Sequence, residues 1–422
     1  VIIEPDQRGV AYMETTESKQ ATRPTFRDLM SQPALIMTYV SILILFPFYI
    51  SVPAAVISVG LIFWKYRRRL WKIALGTGWF GAGAIFSFII AFANRNQYGI
   101  WAAIGFILVW TFFRIYRNFV TPDLLIKMLN IIGLGSIGTS LYAIYHYQVF
   151  IASHGLPLDY IVRDPNPQHR AMSTLFNANY YGLFCIFALL VGAYLFVKAG
   201  TKKAKVWYGL SMVLNVVGIL LTASRMALPA LVVGTITFVF FINRRLVLWL
   251  GGIGLAGACL VFFFPELLAR FTSASFSHSL EEREMIWRAA WGIFTDYPLT
   301  GRGPMSYFSF FYLYGGKGQP HAHQIFLEFL SSYGLYGTAI YLIGTVGYFR
   351  ERVALWFKPE VQAEIGLVTA MIVTVLVHGL SDVAVMWLQT GYIFLFIVTC
   401  PVAVWEALAS YRSEDGYLKI KA

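Results

Sequence analysis

Apolar runs of roughly the 20 residues needed to cross a bilayer, broken by short turns, constrain this chain more than any other feature. The first, Ala34 to Trp64, is about 31 residues long, more than one ordinary span requires. Pro47 and Pro53 interrupt it, which predicts a tight hairpin of two short helices. Further spans are expected at Ile73–Ala93, Ile100–Phe119, Leu124–Phe150, Tyr180–Val197, Val206–Thr222, Met226–Ile242 and Leu246–Phe264, then at Leu335–Tyr348, Glu364–Leu380 and Met386–Ala407. The expected fold is an all-α polytopic membrane protein of about twelve transmembrane helices. Only 13% of the 422 residues are charged, where soluble domains carry about a quarter, which points the same way.

Charge orients the helices. The turns at Lys65–Lys72, Arg114–Arg117, Lys198–Lys205, Arg244–Arg245 and Arg350–Lys358 are all basic. Those near Ser51, Asn94, Ser224 and Asp382 are nearly free of lysine. Alternation then places both termini in the cytosol by the positive-inside rule. Residues 1–33 form a cytosolic tail, 34–264 hold spans one to nine, 265–334 form one large outward loop, 335–407 hold the last three spans, and 408–422 form a second cytosolic tail. The net charge of +12 comes mostly from these turns, so nucleic-acid binding is not expected. Residues 1–33 carry no apolar core of a signal peptide, which leaves targeting to the first span. Cys185, Cys259 and Cys400 each lie in an apolar run and read as core residues rather than as a disulfide or metal set.

Two segments are expected to face outward, His154 to Asn179 and the large loop. In the loop, Ser279 and Glu282 match a capping box and predict a helix through about Phe294 with Ser279 as N-cap. Its stripe of Ile286, Ala290 and Ile293, with Trp287 and Trp291 beside it, suits a helix lying on the membrane surface. His323 is expected to open a second helix leading into the next span.

Basic residues on the outward side run against the topological bias, and nearly all of them are arginine. They are Arg163, Arg170, Arg225, Arg270, Arg283, Arg288 and Arg302, with Lys317 the exception. Guanidinium forks bind phosphate oxygens bidentately, so such a set suits a lipid pyrophosphate; snorkelling or pairing with Glu281, Glu282 and Glu284 is the structural alternative. A guanidinium at the depth of Arg225 needs a partner or a wet cavity. His321 and His323 could take a proton from an attacking hydroxyl. As a metal site, H-x-H lacks a matching cluster of outward carboxylates or cysteines, so no metal is expected. Asn177, Asn179 and Asp382 lie at outward span ends, where they could bind sugar hydroxyls or cap helices. His378 reads as a satisfied core histidine. There is no Walker-type loop, nor a GxGxxG following a strand.

Three strings, TASRMALP, EEREMIWRAAWGIFTDYPLTGRGPMSYF and HAHQIFLEFLSSYGLYG, carry a resemblance to the O-antigen ligase and polymerase superfamily. NANYYG resembles a further motif of that family, while Gln324 departs from the Asn that many relatives place after the second histidine. The resemblance implies a GT-C-type glycosyltransferase in a bacterial inner or plasma membrane, with no cofactor. Its donor would be an undecaprenyl-pyrophosphate-linked glycan, and its acceptor a hydroxyl of lipid A core, protein or a second glycan. On that analogy Arg225 and Arg283 hold the pyrophosphate, with Arg163, Arg170, Arg288 and Arg302 as further candidates, and His323 is the base of an inverting displacement. His321, Asn177 and Asn179 complete the candidate substrate-binding residues. Ligase is favoured over polymerase or protein oligosaccharyltransferase. An anion transporter would need ionisable groups in mid-span, which the chain lacks apart from His378.

Overall fold

The computed structural model describes residues 32–69, 78–164, 167–249, 251–252 and 274–410, which contain helices, turns and loops but no strand. Helices α1 (Pro33–Leu43) and α2 (Phe48–Tyr66) form the expected first pair. The chain breaks ahead of Pro47 alone, and Pro53 is carried inside α2. Next come α3 (Trp79–Ala93), α4 (Gln97–Phe119), α5 (Pro122–Ser153), a single turn α6 (Tyr160–Arg163), α7 (Ala178–Lys198), α8 (Lys202–Leu221) and α9 (Ala227–Ile242). The large loop contributes α10 (Ala274–Asp296) and α11 (Ser306–Phe310). The chain continues as α12 (Ile325–Val353), α13 (Gln362–His378), α14 (Leu388–Val398) and α15 (Val402–Ala409).

By length and apolarity six stretches among the described residues can cross a membrane: α2, α4, α5, α7, α8 and Pro359–His378, which holds α13. The pair α14 and α15, bent by 75°, makes a seventh. This is fewer than the expected twelve. Three further expected spans fall on the shorter apolar helices α1, α3 and α9, and another on the second half of α12. Most of the one expected at Leu246–Phe264, with Cys259 and Arg270, lies outside the described residues.

The bundle is built around α7. That helix is apolar all round, as a helix buried on every side must be, and it packs against α5, α8, α9, α13 and α14. Cys185 and Cys400 are buried free thiols in the same core. Asn177 caps the start of α7 by accepting from the Asn179 amide at 2.8 Å. At the other end Lys198 pairs with the buried Glu364 at 2.7 Å. That end also holds Arg352, 3% exposed, whose guanidinium bonds the carbonyls of Val398 and Cys400 where α14 and α15 part.

The loop helix α10 differs from expectation in two ways. It is already helical at Ala274, so Ser279 lies inside it and caps nothing. Its stripe of Ile286, Ala290 and Ile293 is fully buried rather than laid on lipid. Ile286 and Ala290 pack with Ala289, Tyr307 and Ala322 in a small core of the loop's own. Residues that the sequence assigns to one membrane-surface helix therefore anchor the loop to the bundle, through α12.

Helix α12 starts at Ile325, two residues after the expected opening at His323, with Gln324 as N-cap. It is interrupted at Gly334, whose φ of 58° and ψ of −165° suit only glycine. There the backbone pairs with the Pro298–Gly303 stretch: Leu335 donates to Pro298 at 2.8 Å, Tyr336 to Leu299 at 2.9 Å, and Gly303 to Ser332 at 2.9 Å. The motif P-x-x-G-x-G is thus a brace against the kink.

Candidate functional site

Asp382 is the centre of the site. It follows the end of α13, where one acidic residue with no charged neighbour in sequence reads as a cap. The fold brings three other chain segments to it. The Ile325 amide donates to the Gly379 carbonyl at 2.7 Å, which draws the histidine turn onto the end of α13. His321 Nε2 then lies 3.5 Å and His323 Nδ1 3.7 Å from Asp382 Oδ1. From the start of α7, Asn179 Nδ2 donates to Asp382 Oδ2 at 2.5 Å. Arg170 in turn donates to Asn179 Oδ1 at 2.7 Å and to the Thr222 carbonyl at 2.8 Å.

Arg225 and Arg283 complete the group. Arg225 follows the end of α8 and Arg283 projects from α10; both are half-buried. Burial and then the charge of Arg283 lower the pKa of Arg225, so the two guanidiniums stand close enough to repel. Burial also lowers Arg283, against an opposing attraction from Asp382. Two guanidiniums held close enough to repel offer an anionic ligand a pair of charged donors.

Burial pushes the pKa of His321 down to about 4, against the attraction of Asp382, so this imidazole is neutral at pH 7. Its Nδ1 accepts from the His323 amide at 3.2 Å, which leaves its proton on Nε2, facing Asp382 and, at 3.4 Å, the Tyr180 hydroxyl. For Asp382 burial raises the pKa. The close approach of His323 and the charges of His321, His323 and His378 outweigh it and hold the carboxyl well below its usual range. At 3.7 Å the His323 contact is an approach that must shorten before it becomes a true hydrogen bond.

The expectation that no carboxylate accompanies the histidine pair therefore fails. His321, His323 and Asp382 offer three ligand atoms within 4.8 Å of one another, close enough to consider a cation. Two features weigh against one. The Nε2 of His321 carries the proton a metal would have to displace, and Arg283 already supplies positive charge. As it stands the cluster suits the handling of a proton.

The backbone marks the same place. Phe176, Ala223 and His323 have φ of 68°, 50° and 49°, in the left-handed region that residues other than glycine seldom enter. They stand beside Asn177, just before Arg225, and at the histidine pair itself. Such strain persists only where surrounding contacts over-determine it.

Not every expected residue converges. Arg163 is exposed and pairs with Asp159, and Arg288 is exposed and pairs with Glu284, each within its own stretch of helix. Arg302 lies 3.6 Å over the Phe310 ring and 4.8 Å from that of Tyr297, in an aromatic slot within the loop. Asn177 serves as the cap of α7. His378 is no satisfied core histidine: it is buried at the last position of α13, its Nε2 has no hydrogen-bond partner, and it stands within electrostatic reach of Asp382 and Arg283.

A family model described as O-antigen ligase matches residues 210–342 of the chain. The matched stretch holds Arg225, Arg283, His321 and His323, and ends before Asp382. A search of curated proteins found no match.

Proposed function

We propose, from this site and from the match of residues 210–342 to the O-antigen ligase family model, that the chain is a membrane glycosyltransferase moving a preassembled glycan from undecaprenyl pyrophosphate to an acceptor hydroxyl. The site would face away from the cytosol, as the charge of the turns requires. The observation that carries this reading is the placement of Arg225 and Arg283 beside the His321–His323–Asp382 cluster. One half suits a pyrophosphate and the other a proton.

The chemistry follows from that division. As the acceptor oxygen attacks the anomeric carbon, the bond from that carbon to the pyrophosphate oxygen breaks. Arg225 and Arg283 stabilise the negative charge that develops on the departing lipid pyrophosphate. The acceptor's proton passes to His323 Nε2, and Asp382 steadies the imidazolium through Nδ1–H. His323 rather than His321 is taken as the base, since His321 Nδ1 accepts from the His323 amide and its proton would then sit on Nε2. A single displacement inverts the anomeric configuration. His321, Asn179 and Arg170 hold Asp382 and the pocket wall in place.

The test is transfer from an undecaprenyl-pyrophosphate glycan by purified protein with EDTA present. Wild type is expected to yield product and His323→Ala none. Equal activity of the two would overturn the role of His323, and retention of configuration would overturn the single displacement. Product length separates a ligase, which adds one preformed glycan, from a polymerase, which makes a ladder.

A further inference from the structure

Glu328 is the one acidic residue in the first turn of α12, and it is 5% exposed. Its Oε2 accepts from the Ala322 amide at 2.8 Å, and its Oε1 from Ser332 Oγ at 3.4 Å. Ala322 is the middle residue of the H-A-H turn and is itself fully buried in the loop core. The carboxyl group thus grips the turn at the residue between the two histidines, whose rings pack 4.4 Å apart.

We propose that Glu328 is a positioning residue whose carboxyl group fixes the His321–Ala322–His323 turn through the Ala322 amide and favours the imidazolium that forms on His323 during transfer. The role of His323 rests on the function proposed above; the grip on the turn does not.

Burial raises the pKa of Glu328 above the ordinary carboxylate value, while the Ala322 amide, Ser332 and a positive charge on His323 act in the opposite direction. Its titratable neighbours are His323 from the turn, Tyr333 from its own helix and Tyr307 from α11. The phenols stay neutral at pH 7, which leaves His323 as the group that can bring a positive charge. The two hydrogen bonds and the start of α12 offset part of the burial, since helix N-termini favour anions. Asp382 then approaches the His323 imidazole at Nδ1, while Glu328 holds the preceding residue through its amide. Glu328 touches no reacting atom and acts only through the turn.

The discriminating variant is Glu328→Gln, because the amide oxygen can still accept from Ala322 while the charge is gone. A purely structural glutamate would give wild-type pH dependence. The proposal expects the acid limb of kcat/KM to move to lower pH, because the carboxyl that favours the imidazolium has lost its charge, and expects kcat to fall. An unmoved limb with unchanged kcat overturns it. If Glu328→Gln does not fold, Glu328→Asp serves: it keeps the charge but withdraws it by one methylene, so kcat should fall while the limb stays near its wild-type position. Unchanged kcat in that variant also overturns the proposal. His323→Ala run in parallel keeps the two ideas apart. If it is inactive and the Glu328→Gln limb is unmoved, only the present inference fails; if it is fully active, both do.

Discussion

Gly301 and Gly334 meet backbone to backbone: a Cβ on Gly334 would lie 2.5 Å from the Gly301 nitrogen, and one on Gly301 would lie 2.5 Å from the Ser332 carbonyl carbon. Both glycines also have positive φ, of 61° and 58°. Main-chain atoms cannot swing aside as a side-chain tip can. Gly334→Ala and Gly301→Ala should each cost about 3 kcal/mol or more. Gly347, further along α12, has open space around it. Gly347→Ala should instead stabilise by about 0.5–1 kcal/mol. Unfolding midpoints in detergent compare the three.

Asp382→Asn keeps the shape of the side chain but removes the charge that steadies the His323 imidazolium. With the proton transfer weakened, kcat should fall by about 10²–10⁴-fold while KM for the lipid donor changes little. A large rise in KM at constant kcat would instead place Asp382 in ground-state binding. Initial rates over a range of donor concentrations decide.

Arg225→Lys and Arg283→Lys retain a positive charge and lose the fork. Each should cost about 1.5–3 kcal/mol in kcat/KM, roughly 10- to 100-fold, because a hydrogen bond to a charged group is worth that much. Arg163→Ala and Arg288→Ala remove exposed arginines paired with a neighbour on their own helical stretch. Exposed pairs contribute about 1 kcal/mol or less, so both variants should transfer glycan like wild type. Equal damage from all four would return the outward arginines to a diffuse electrostatic role.

The depressed pKa of His321 has a signed consequence. From pH 6.5 downward the unfolded chain takes up a proton that the folded site refuses until about pH 4. Stability should therefore fall as pH drops through that window, and His321 should contribute no slope above it. Asp382, held low, keeps its charge across the same window, and its own contribution is lost only at still lower pH. His321→Gln, which cannot titrate, should flatten the dependence between pH 6.5 and 4. Thermal unfolding in detergent across a pH series shows whether it does.

The bias toward arginine outside the basic turns points to Arg225 and Arg283, and both stand at the site. Arg302 carries the same sequence signal yet sits over Phe310, because periodicity does not say which ring a guanidinium will meet. Asp382 was legible only as a helix cap or a sugar-binding residue, not as a partner of the histidines. Its partners lie at Asn179 and at the histidine turn, and no local pattern joins stretches so far apart. The capping box at Ser279 failed for a related reason: α10 is held by packing of Ile286 and Ala290, and tertiary burial sets its extent. Most expected spans coincide with observed helices, since twenty apolar residues in a row leave the backbone few choices.

The stretch from 210 to 342 carries both arginines and both histidines, while Arg170, Asn179 and Asp382 lie on either side of it. If that block were exchanged between two proteins of this kind, the recombinant would inherit its proton acceptor from one parent and the carboxylate serving it from the other. Whether the hybrid works would then turn on three side chains outside the transplanted block.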